Sequence, residues 1–335
     1  MIPDFKLVVD SKDITDLISS RLVSLNLTDE SGFISDTLNI CLDNRDNKIE
    51  VPPTGANISL YLGYKKTSAS IEGSKLYLMG SYMVDEIEVS APPYVMNIVA
   101  RGSDTFDKVN LGKIKTLNNH SWHNKTYKEI LEEIANKHGL KAVIDNSYSE
   151  LFAEHIDQTD ESDIAFINRI IDEVGGYVKV VNGFLCIGIK GSKNSPNGSP
   201  LPQLELNIKD LRSYRVRITD RSKFLSVNAK YYDLSAGKEE SITVGEGEPV
   251  FNLPGLYANS EIAGRVAKAK LKSIAMGVYS LDCALMGNPV ITAENIIKFS
   301  NTQSLLDGEW VVEQTSHELN SSGYLTTIHA IKSEG

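Results

Sequence analysis

The hydrophobic pattern of the sequence changes from helical to strand periodicity between residues 155 and 189. Asp160 is placed to cap the amino terminus of a helix, and Gly175-Gly176 supplies a left-handed stop. Alternating strands follow from Tyr177 to Val181 and from Phe184 to Ile189, joined by Asn182-Gly183, a pair suited to a type I′ turn. The segment is therefore predicted to be a helix followed by a hairpin, with one apolar helical face at Ile164, Ile167, Ile170, Ile171 and Val174.

A second predicted helix lies just upstream of this unit. Thr126 and Glu129 have the spacing of a capping box, and Gly139 ends the helix. Its apolar face is formed by Ile130, Leu131, Ile134 and Ala135. Two helices and a hairpin make a compact α+β insert, which we place at residues 116–190.

Both segments that flank the insert have strand patterns. Residues 1–115 alternate apolar and polar positions in several short strands. Residues 191–203 are dense in Gly, Ser, Asn and Pro and are predicted to be a linker. Strand patterns resume over residues 204–335, with one amphipathic helix near residues 260–275. The predicted fold class is mainly β with an α+β insert, in which two antiparallel β domains flank a small two-helix plus hairpin domain.

The two β segments resemble each other in four places that occur in the same order. Period-two strands resemble one another by chance, so each single match is weak, but the shared order favours an internal duplication. The chain would then contain two copies of one β-barrel. The matching stretches are Leu38–Leu42 with Leu281–Leu285, Ile58 before Tyr64 with Ile296-Ile297 before Ser300, Gly80–Asp85 with Gly308–Glu313, and Tyr94 with Tyr324.

Composition narrows the class of protein. The formal net charge of −10 over 335 residues argues against sequence-specific or general nucleic-acid binding, which depends on clustered Lys and Arg. Arg212, Arg215 and Arg217 alternate along one strand, a pattern typical of a solvated face or an ion-paired interface.

The amino-terminal sequence predicts neither a signal peptide nor a membrane span. The widely separated cysteines are expected to be buried thiols rather than disulfides or metal ligands: Cys41, Cys186 and Cys283.

The candidate chemical groups do not form a complete site. His120 and His123 are spaced like a pair of zinc ligands, but a third ligand is missing from the neighbouring sequence. Glu132 and Glu133 fit an exposed helix face better than a glycosidase acid/base pair. His317 fits a packing or hydrogen-bonding role on a two-faced strand. We therefore predict no catalytic, cofactor-binding or metal site and a protein that is not an enzyme.

Several motifs resemble the phage late-control protein D family, the baseplate hub proteins of contractile tails. The most specific is the helix start from Gln158 to Asp163, and the amino-terminal Asp10–Thr15 is also similar, so the resemblance spans almost the whole chain. It extends to the hub portion of the valine-glycine repeat proteins of type VI secretion. The positions that carry the family signature are Trp122, Gln158, Glu161, Ser162, Asp163, Gly308, Trp310, His317 and Tyr324.

The resemblance implies a structural hub that lines the channel of a contractile tail. Three chains, each with two related tube-like β-barrels, would join a trimeric central spike to a hexameric tail tube. Because the sequence ends at Gly335, after the second barrel, the spike is expected to be a separate protein. Other expected partners are further baseplate proteins and the tape measure protein. The expected location is the virion or a tail-like particle, after assembly in the host cytoplasm.

Two alternatives remain at this stage. The carboxylates of the insert are compatible with a peptidoglycan-directed hydrolase or cell-wall-binding module. The insert is also compatible with contacts to surrounding baseplate proteins, a role that fits within the hub hypothesis.

Overall fold

The structure is a computed structural model that describes residues 2–332, apart from 33–34, 66–74, 103–113, 150, 182, 191, 193, 220–223, 234–235, 258, 277 and 303–304. The chain divides into two compact units. The first, here the sheet unit, comprises Met1–Asp104, Gln203–Val216 and Leu281–Ala330. The second, the insert unit, comprises Thr105–Pro202, Arg217–Ser280 and Ile331–Gly335.

The amino-terminal part of the sheet unit is built almost entirely of strands. Its elements are β1 (Ile2–Val9), β2 (Lys12–Asp13), α1 (Thr15–Ile18), β3 (Leu22–Glu30), β4 (Thr37–Asp43), β5 (Asn57–Lys65), β6 (Lys75–Ser90) and β7 (Val95–Gly102).

The middle of the chain contains short helices and strands of the insert unit. They are β8 (Leu117–Thr126), α2 (Tyr127–Lys137), β9 (Lys141–Ile144), α3 (Asn146–Ser149), β10 (Phe152–Ser162), α4 (Asp163–Glu173), β11 (Gly176–Val181) and β12 (Phe184–Ile189).

The carboxy-terminal part supplies strands to both units. Its elements are β13 (Gln203–Glu205), β14 (Leu211–Ile218), β15 (Ser226–Asp233), β16 (Lys238–Gly245), β17 (Val250–Tyr257), α5 (Ser260–Met276), β18 (Tyr279–Met286), β19 (Ile296–Phe299), β20 (Gly308–Asn320) and β21 (Gly323–Lys332).

One sheet runs through the whole sheet unit. Its strands follow the order β14-β18-β21-β20-β3-β4-β7-β6-β5-β1-β2, with β19 beside β20 and β13 beside β19. The order β14-β18-β21-β20 repeats as β3-β4-β7-β6, and β19 flanks β20 as β5 flanks β6. We call each set of four a four-strand repeat. The mainly β fold predicted from the sequence is confirmed, and over the described residues the strands form an open path rather than closed barrels.

Alternation along these strands sends one set of side chains into a common core. Leu25 and Leu27 of β3 lie opposite Ile40 and Leu38 of β4 in the ladder, and all four are buried. The polar positions between them, such as Asn26 and Ser24, point to the other face. The core extends through Leu42, Leu60, Leu62, Met96, Ala100, Leu319 and Tyr324.

The insert unit contains three small sheets. β8 and β10 form an antiparallel ribbon, and β9 runs parallel to β12 beside the β11–β12 hairpin. In the third sheet β15 lies between β16 and β17, with α5 packed on it through Ala263 and Ala267 against Val227 and Ala229. The sequence pattern places α5 in the second β domain, whereas in the structure Arg217–Ser280, which includes α5, belongs to the insert unit. The boundaries predicted at residues 115, 190 and 203 stay a prediction.

The local signals of the two insert helices are largely confirmed. Thr126 and Glu129 form the capping box of α2, with Glu129 N–H donating to Thr126 Oγ1 at 3.2 Å. The N-cap predicted at Asp160 is wrong, because Ser162 Oγ accepts the capping hydrogen bond from Ala165 N. Asp160 instead has a φ of 48° at an irregularity in β10. The predicted turn at Asn182 lies outside the described residues.

Candidate functional site

The signature residues at the start of α4 surround a buried carboxylate. Asp163 is 2% exposed, yet its side chain accepts hydrogen bonds from Lys137 and His138 at 2.7 Å and from Gln158 at 2.8 Å. Asn118 donates a fourth hydrogen bond at 3.1 Å. Burial alone would raise the pKa of Asp163, but the hydrogen bonds outweigh it and hold the pKa below its usual value.

This network joins four elements of the insert unit, with Asn118 on β8. Asp163 lies at the first position of α4, Gln158 lies on β10, and Lys137 ends α2. A cavity of about 200 Å³ opens beside it, lined in part by Trp122 and Asn119. Since a charge this deeply buried is stable only when fully hydrogen-bonded, the network positions the helices relative to one another.

Two more signature positions brace the same helix. Trp122 stacks on Phe166 with ring centres 6.1 Å apart, and both rings are buried. The buried indole Nε1 of Trp122 has no hydrogen-bond acceptor among the described residues. Glu161 accepts from the guanidinium of Arg169 at 2.8 Å, tying the end of β10 to α4. Trp122 on β8 and Glu161 on β10 therefore each contribute a contact with α4.

The carboxy-terminal signature positions form a second buried cluster, in the sheet unit. His317 is fully buried, with Nε2 3.0 Å from the carbonyl oxygen of Ile291 and Nδ1 2.9 Å from Tyr324 Oη. A carbonyl oxygen can only accept, so Nε2 carries the proton and Nδ1 accepts from the tyrosine hydroxyl. Burial lowers the pKa of His317 to about 4. His317 is thus packed in the core and hydrogen-bonded through both ring nitrogens, in line with the interpretation made from its place on a two-faced strand.

Trp310 and Tyr324 fill the core on neighbouring strands. Trp310 Nε1 donates to the carbonyl oxygen of Leu306 at 2.8 Å, and Gly308 adopts a φ of 116° at the start of β20. Gly287 lies against the Tyr324 ring so closely that a Cβ there would be 2.1 Å from the nearest ring carbon. This close approach explains the need for glycine at position 287, which the sequence pattern did not single out.

The zinc pair considered at His120 and His123 does not form. His120 lies edge-on to Trp122, with ring centres 4.3 Å apart, and His123 contacts His155 across the β8–β10 ribbon. Within the described ranges, no group of three or more His, Cys, Asp or Glu side chains is arranged to hold a metal ion. The glutamates weighed for hydrolysis sit in half-exposed ion pairs, Glu132 with Lys128 and Glu133 with Lys125.

Two strand edges of the sheet unit carry opposite charge. β6 pairs with β5 up to Met83 and with β7 up to Ser90, so over the described residues one flank of Asp85–Ser90 has no strand beside it. This acidic edge exposes Asp85, Glu86 and Glu88. β14 ends the other side of the sheet, with β18 as its one neighbour among the described strands. This basic edge, Leu211–Val216, exposes Arg212 and Arg215.

The thiols and the helices add little to this picture. None of the three cysteines, all of which the structure describes, forms a disulfide; Cys283 is buried, and Cys41 and Cys186 are half-buried. In the part of the chain that the structure describes, none of the helices is both long enough and apolar enough to cross a membrane.

Comparison with known proteins places this architecture in a family. Residues 109–323 match the family model described as phage tail baseplate hub (GPD). The chain is also 30% identical over 369 residues to the probable baseplate hub protein of Escherichia phage 186, an alignment that covers 97% of this chain and 92% of that protein. The resemblance noted in the sequence is thereby confirmed.

Solved structures share the fold at low sequence identity. The tail protein from Neisseria meningitidis MC58 has a TM-score of 0.70 at 8% identity, covering 99% of this chain and 97% of its own. The 43 kDa tail protein of prophage MuSo2 from Shewanella oneidensis has a TM-score of 0.67 at 14% identity, covering 98% of each chain. With the family model matching well over half of its residues and a hub protein aligned along nearly all of them, the chain belongs to the phage tail baseplate hub (GPD) family.

Proposed function

We propose that three copies of this chain close into a ring that joins a trimeric spike to a hexameric tail tube. As a member of its family, the chain is a structural protein of the phage virion baseplate. The proposal concerns how it performs that role. Each chain contributes two four-strand repeats, so three chains present six similar docking surfaces to a sixfold tube while keeping threefold symmetry for a spike.

The observation that carries the proposal is the pair of oppositely charged strand edges. Charged residues on an edge strand commonly serve to prevent aggregation, and one sign on both edges would suit that purpose alone. Here the acidic edge exposes Glu86 and Glu88, whereas the basic edge exposes Arg212 and Arg215. The acidic edge of one copy therefore complements the basic edge of the next and repels a second acidic edge.

Inside the chain the two repeats are already connected by one strand pairing, which we call the internal joint. β20, the last strand of one repeat, pairs antiparallel with β3, the first strand of the other, from Gln314–Glu30 to Asn320–Ser24. β6 and β14 hold the corresponding outer positions of the two repeats. Pairing β6 of one copy with β14 of its neighbour would repeat that joint between chains and leave no open edge at either strand.

The face of the sheet opposite the core suits the wall of the proposed channel. Around the β20–β3–β4 joint it presents Ser316, Asn26, Asn39 and the exposed Glu318, which lies opposite Asn26, and Ser316 Oγ donates to Asn26 Oδ1 at 2.8 Å. Polar and acidic groups such as these hold water and do not form the cluster of cations that would bind a passing phosphate backbone. Electron microscopy of the ring tests this orientation, and a map with this face on the outside would contradict it.

Charge reversal tests the edge pairing. Arg212→Glu with Arg215→Glu is expected to convert the trimer to monomer in light scattering, because two edges of like charge then meet. Glu86→Arg with Glu88→Arg should do the same. A chain that carries all four changes should recover the trimer, since the charges are complementary again.

The control for this series is Lys48→Glu, an exposed charge reversal in a loop of the same unit, which should leave the trimer intact. A trimer that survives reversal of one edge, or a fourfold variant that stays monomeric while folded, would refute the pairing. A wild-type chain that remains monomeric even with its spike protein would refute the ring itself.

A further inference from the structure

We infer that His123 and His155 form a binding site for a divalent transition-metal ion on the outer face of the β8–β10 ribbon. The two residues are directly opposite in the ladder, as are Ser121 and Asp157 two pairs away. Between them Trp122 turns into the core, so strand alternation places all four polar side chains on the exposed face. The result is a two-by-two polar patch that solvent ions can reach.

The separation of the two imidazoles suits a metal chelate. His123 Nδ1 and His155 Nδ1 lie 3.0 Å apart. Two nitrogens that each lie about 2.0–2.1 Å from one ion are separated by about 2.9 Å at a right angle and by about 3.3 Å at a tetrahedral angle. The observed distance is close to both values, so small rotations of the two exposed rings bring both nitrogens onto one ion, and imidazole ligands favour Cu²⁺ and Ni²⁺ over Mg²⁺.

The hydrogen bonds around His155 prepare one ligand atom. Asp157 Oδ2 lies 2.9 Å from His155 Nε2, and Ser121 Oγ donates to Asp157 Oδ1 at 2.6 Å. A carboxylate oxygen accepts hydrogen bonds, so the contacts place Asp157 as the acceptor for both Ser121 and His155. His155 therefore carries its proton on Nε2 and offers the lone pair of Nδ1. A carboxylate behind a histidine in this way is the usual outer support of a metal-bound imidazole.

The proton balance at His123 is simple. Without an ion, His123 Nδ1–H donates to His155 Nδ1. When an ion binds, the proton moves through water to His123 Nε2, and both Nδ1 atoms become ligands with no net proton release. The remaining coordination positions are taken by water, because no third His, Cys, Asp or Glu side chain completes a cluster within the described residues.

An ion at this position would cross-link β8 and β10 of the ribbon. β10 leads directly into Ser162 and α4, and β8 leads into α2, so the ion would link the starts of both helices of the insert. The expected consequence is a higher unfolding temperature of the insert unit in the presence of the ion.

Isothermal titration of the untagged full-length chain with CuCl₂, NiCl₂, ZnCl₂ and MgCl₂ tests the site. We expect one Cu²⁺ per chain, with Ni²⁺ weaker and no binding of Mg²⁺, the order that imidazole ligands impose. His123→Ala and His155→Ala should each abolish binding. Asp157→Asn should weaken it by about tenfold, the effect of losing an outer support.

The matched control is His120→Ala, an exposed histidine on the same strand, which should bind as the wild type does. All substituted side chains are exposed, so thermal unfolding without metal should be nearly unchanged and will show that the variants are folded. A Cu²⁺ signal in electron paramagnetic resonance that keeps two nitrogen ligands in the His155→Ala variant would overturn the assignment. So would the absence of stoichiometric binding to the wild type.

Discussion

The burial of His317 in the sheet unit predicts that the free energy of unfolding falls in acid. His317 is neutral in the folded chain because both ring nitrogens are engaged and its surroundings exclude water. Protonation would place a second N–H against the Tyr324 hydroxyl and a charge in the core. The pKa of His317 is accordingly lowered from 6.5 to about 4 in the folded chain.

The free energy of unfolding depends on pH because His317 binds a proton more weakly in the folded chain than in the unfolded chain. Between these two pKa values the unfolded chain binds the proton and the folded chain does not. The contribution of His317 to the free energy of unfolding is therefore complete above about pH 6.5, declines as the pH falls toward about 4, and changes no further below that. The shift predicts a loss of about 2 kcal/mol on going from near pH 7.5 to near pH 5.

Urea unfolding at the two pH values measures this loss, and a variant isolates it from other titrating groups. His317→Gln keeps an amide N–H able to donate to the carbonyl oxygen of Ile291 but does not titrate. Its pH-dependent loss should be smaller than that of the wild type by about 2 kcal/mol. Equal losses in the two proteins would refute the reasoning, whatever the absolute stability of the variant.

Two substitutions test packing in the separate units. Asp163→Asn is expected to lower the free energy of unfolding by about 3 kcal/mol, because it breaks a buried charged network. Thermal unfolding measures this loss, with the exposed Asp160→Asn as the control. Similar unfolding temperatures for the two variants would contradict the prediction. Gly287→Ala is expected to cost about 2 kcal/mol or more, since its Cβ would overlap the Tyr324 ring. The control is Gly102→Ala, where the nearest atom lies at 3.7 Å, and equal effects would reject the close-packing argument.

Local sequence signals predicted the parts of the fold that depend on neighbouring residues. The capping box of α2 and the strands of the β11–β12 hairpin lie where turn and capping chemistry placed them. The ribbon of β8 and β10 was missed because its sequence, LNNHSWHNKT in β8, has polar residues on both faces and only one deeply buried side chain. Asp160 attracted the N-cap prediction for the same reason, as the strand before the helix could not be recognised.

The contacts of the signature residues could not be predicted, because their partners are distant in sequence. Gln158 and Asp163 are close together in the chain, but Asn118 is 45 residues from Asp163 and Lys137 is 26 residues away. Likewise His123 suggested a pair with the nearby His120, whereas its neighbour in space is 32 residues away. Spacing rules find sites within one element, and these sites are made by strand pairing.

The arginines of β14 show what decides between a solvated face and an interface. The clustering of Arg212 and Arg215 is visible in the sequence, but whether they border a neighbouring strand depends on the position of β14 in the sheet. Each chain keeps one acidic and one basic edge because the internal β20–β3 joint uses one edge of each repeat.

Joining unlike edges is a head-to-tail contact, which yields a ring if the rotation closes and a filament if it does not. In the proposed ring, closure at three chains requires each repeat to turn by about 60°, so the twist at the internal β20–β3 joint would set the copy number. A variant that alters this joint while leaving β6 and β14 intact should change the number of chains in the particle, a result that edge charge alone would not produce.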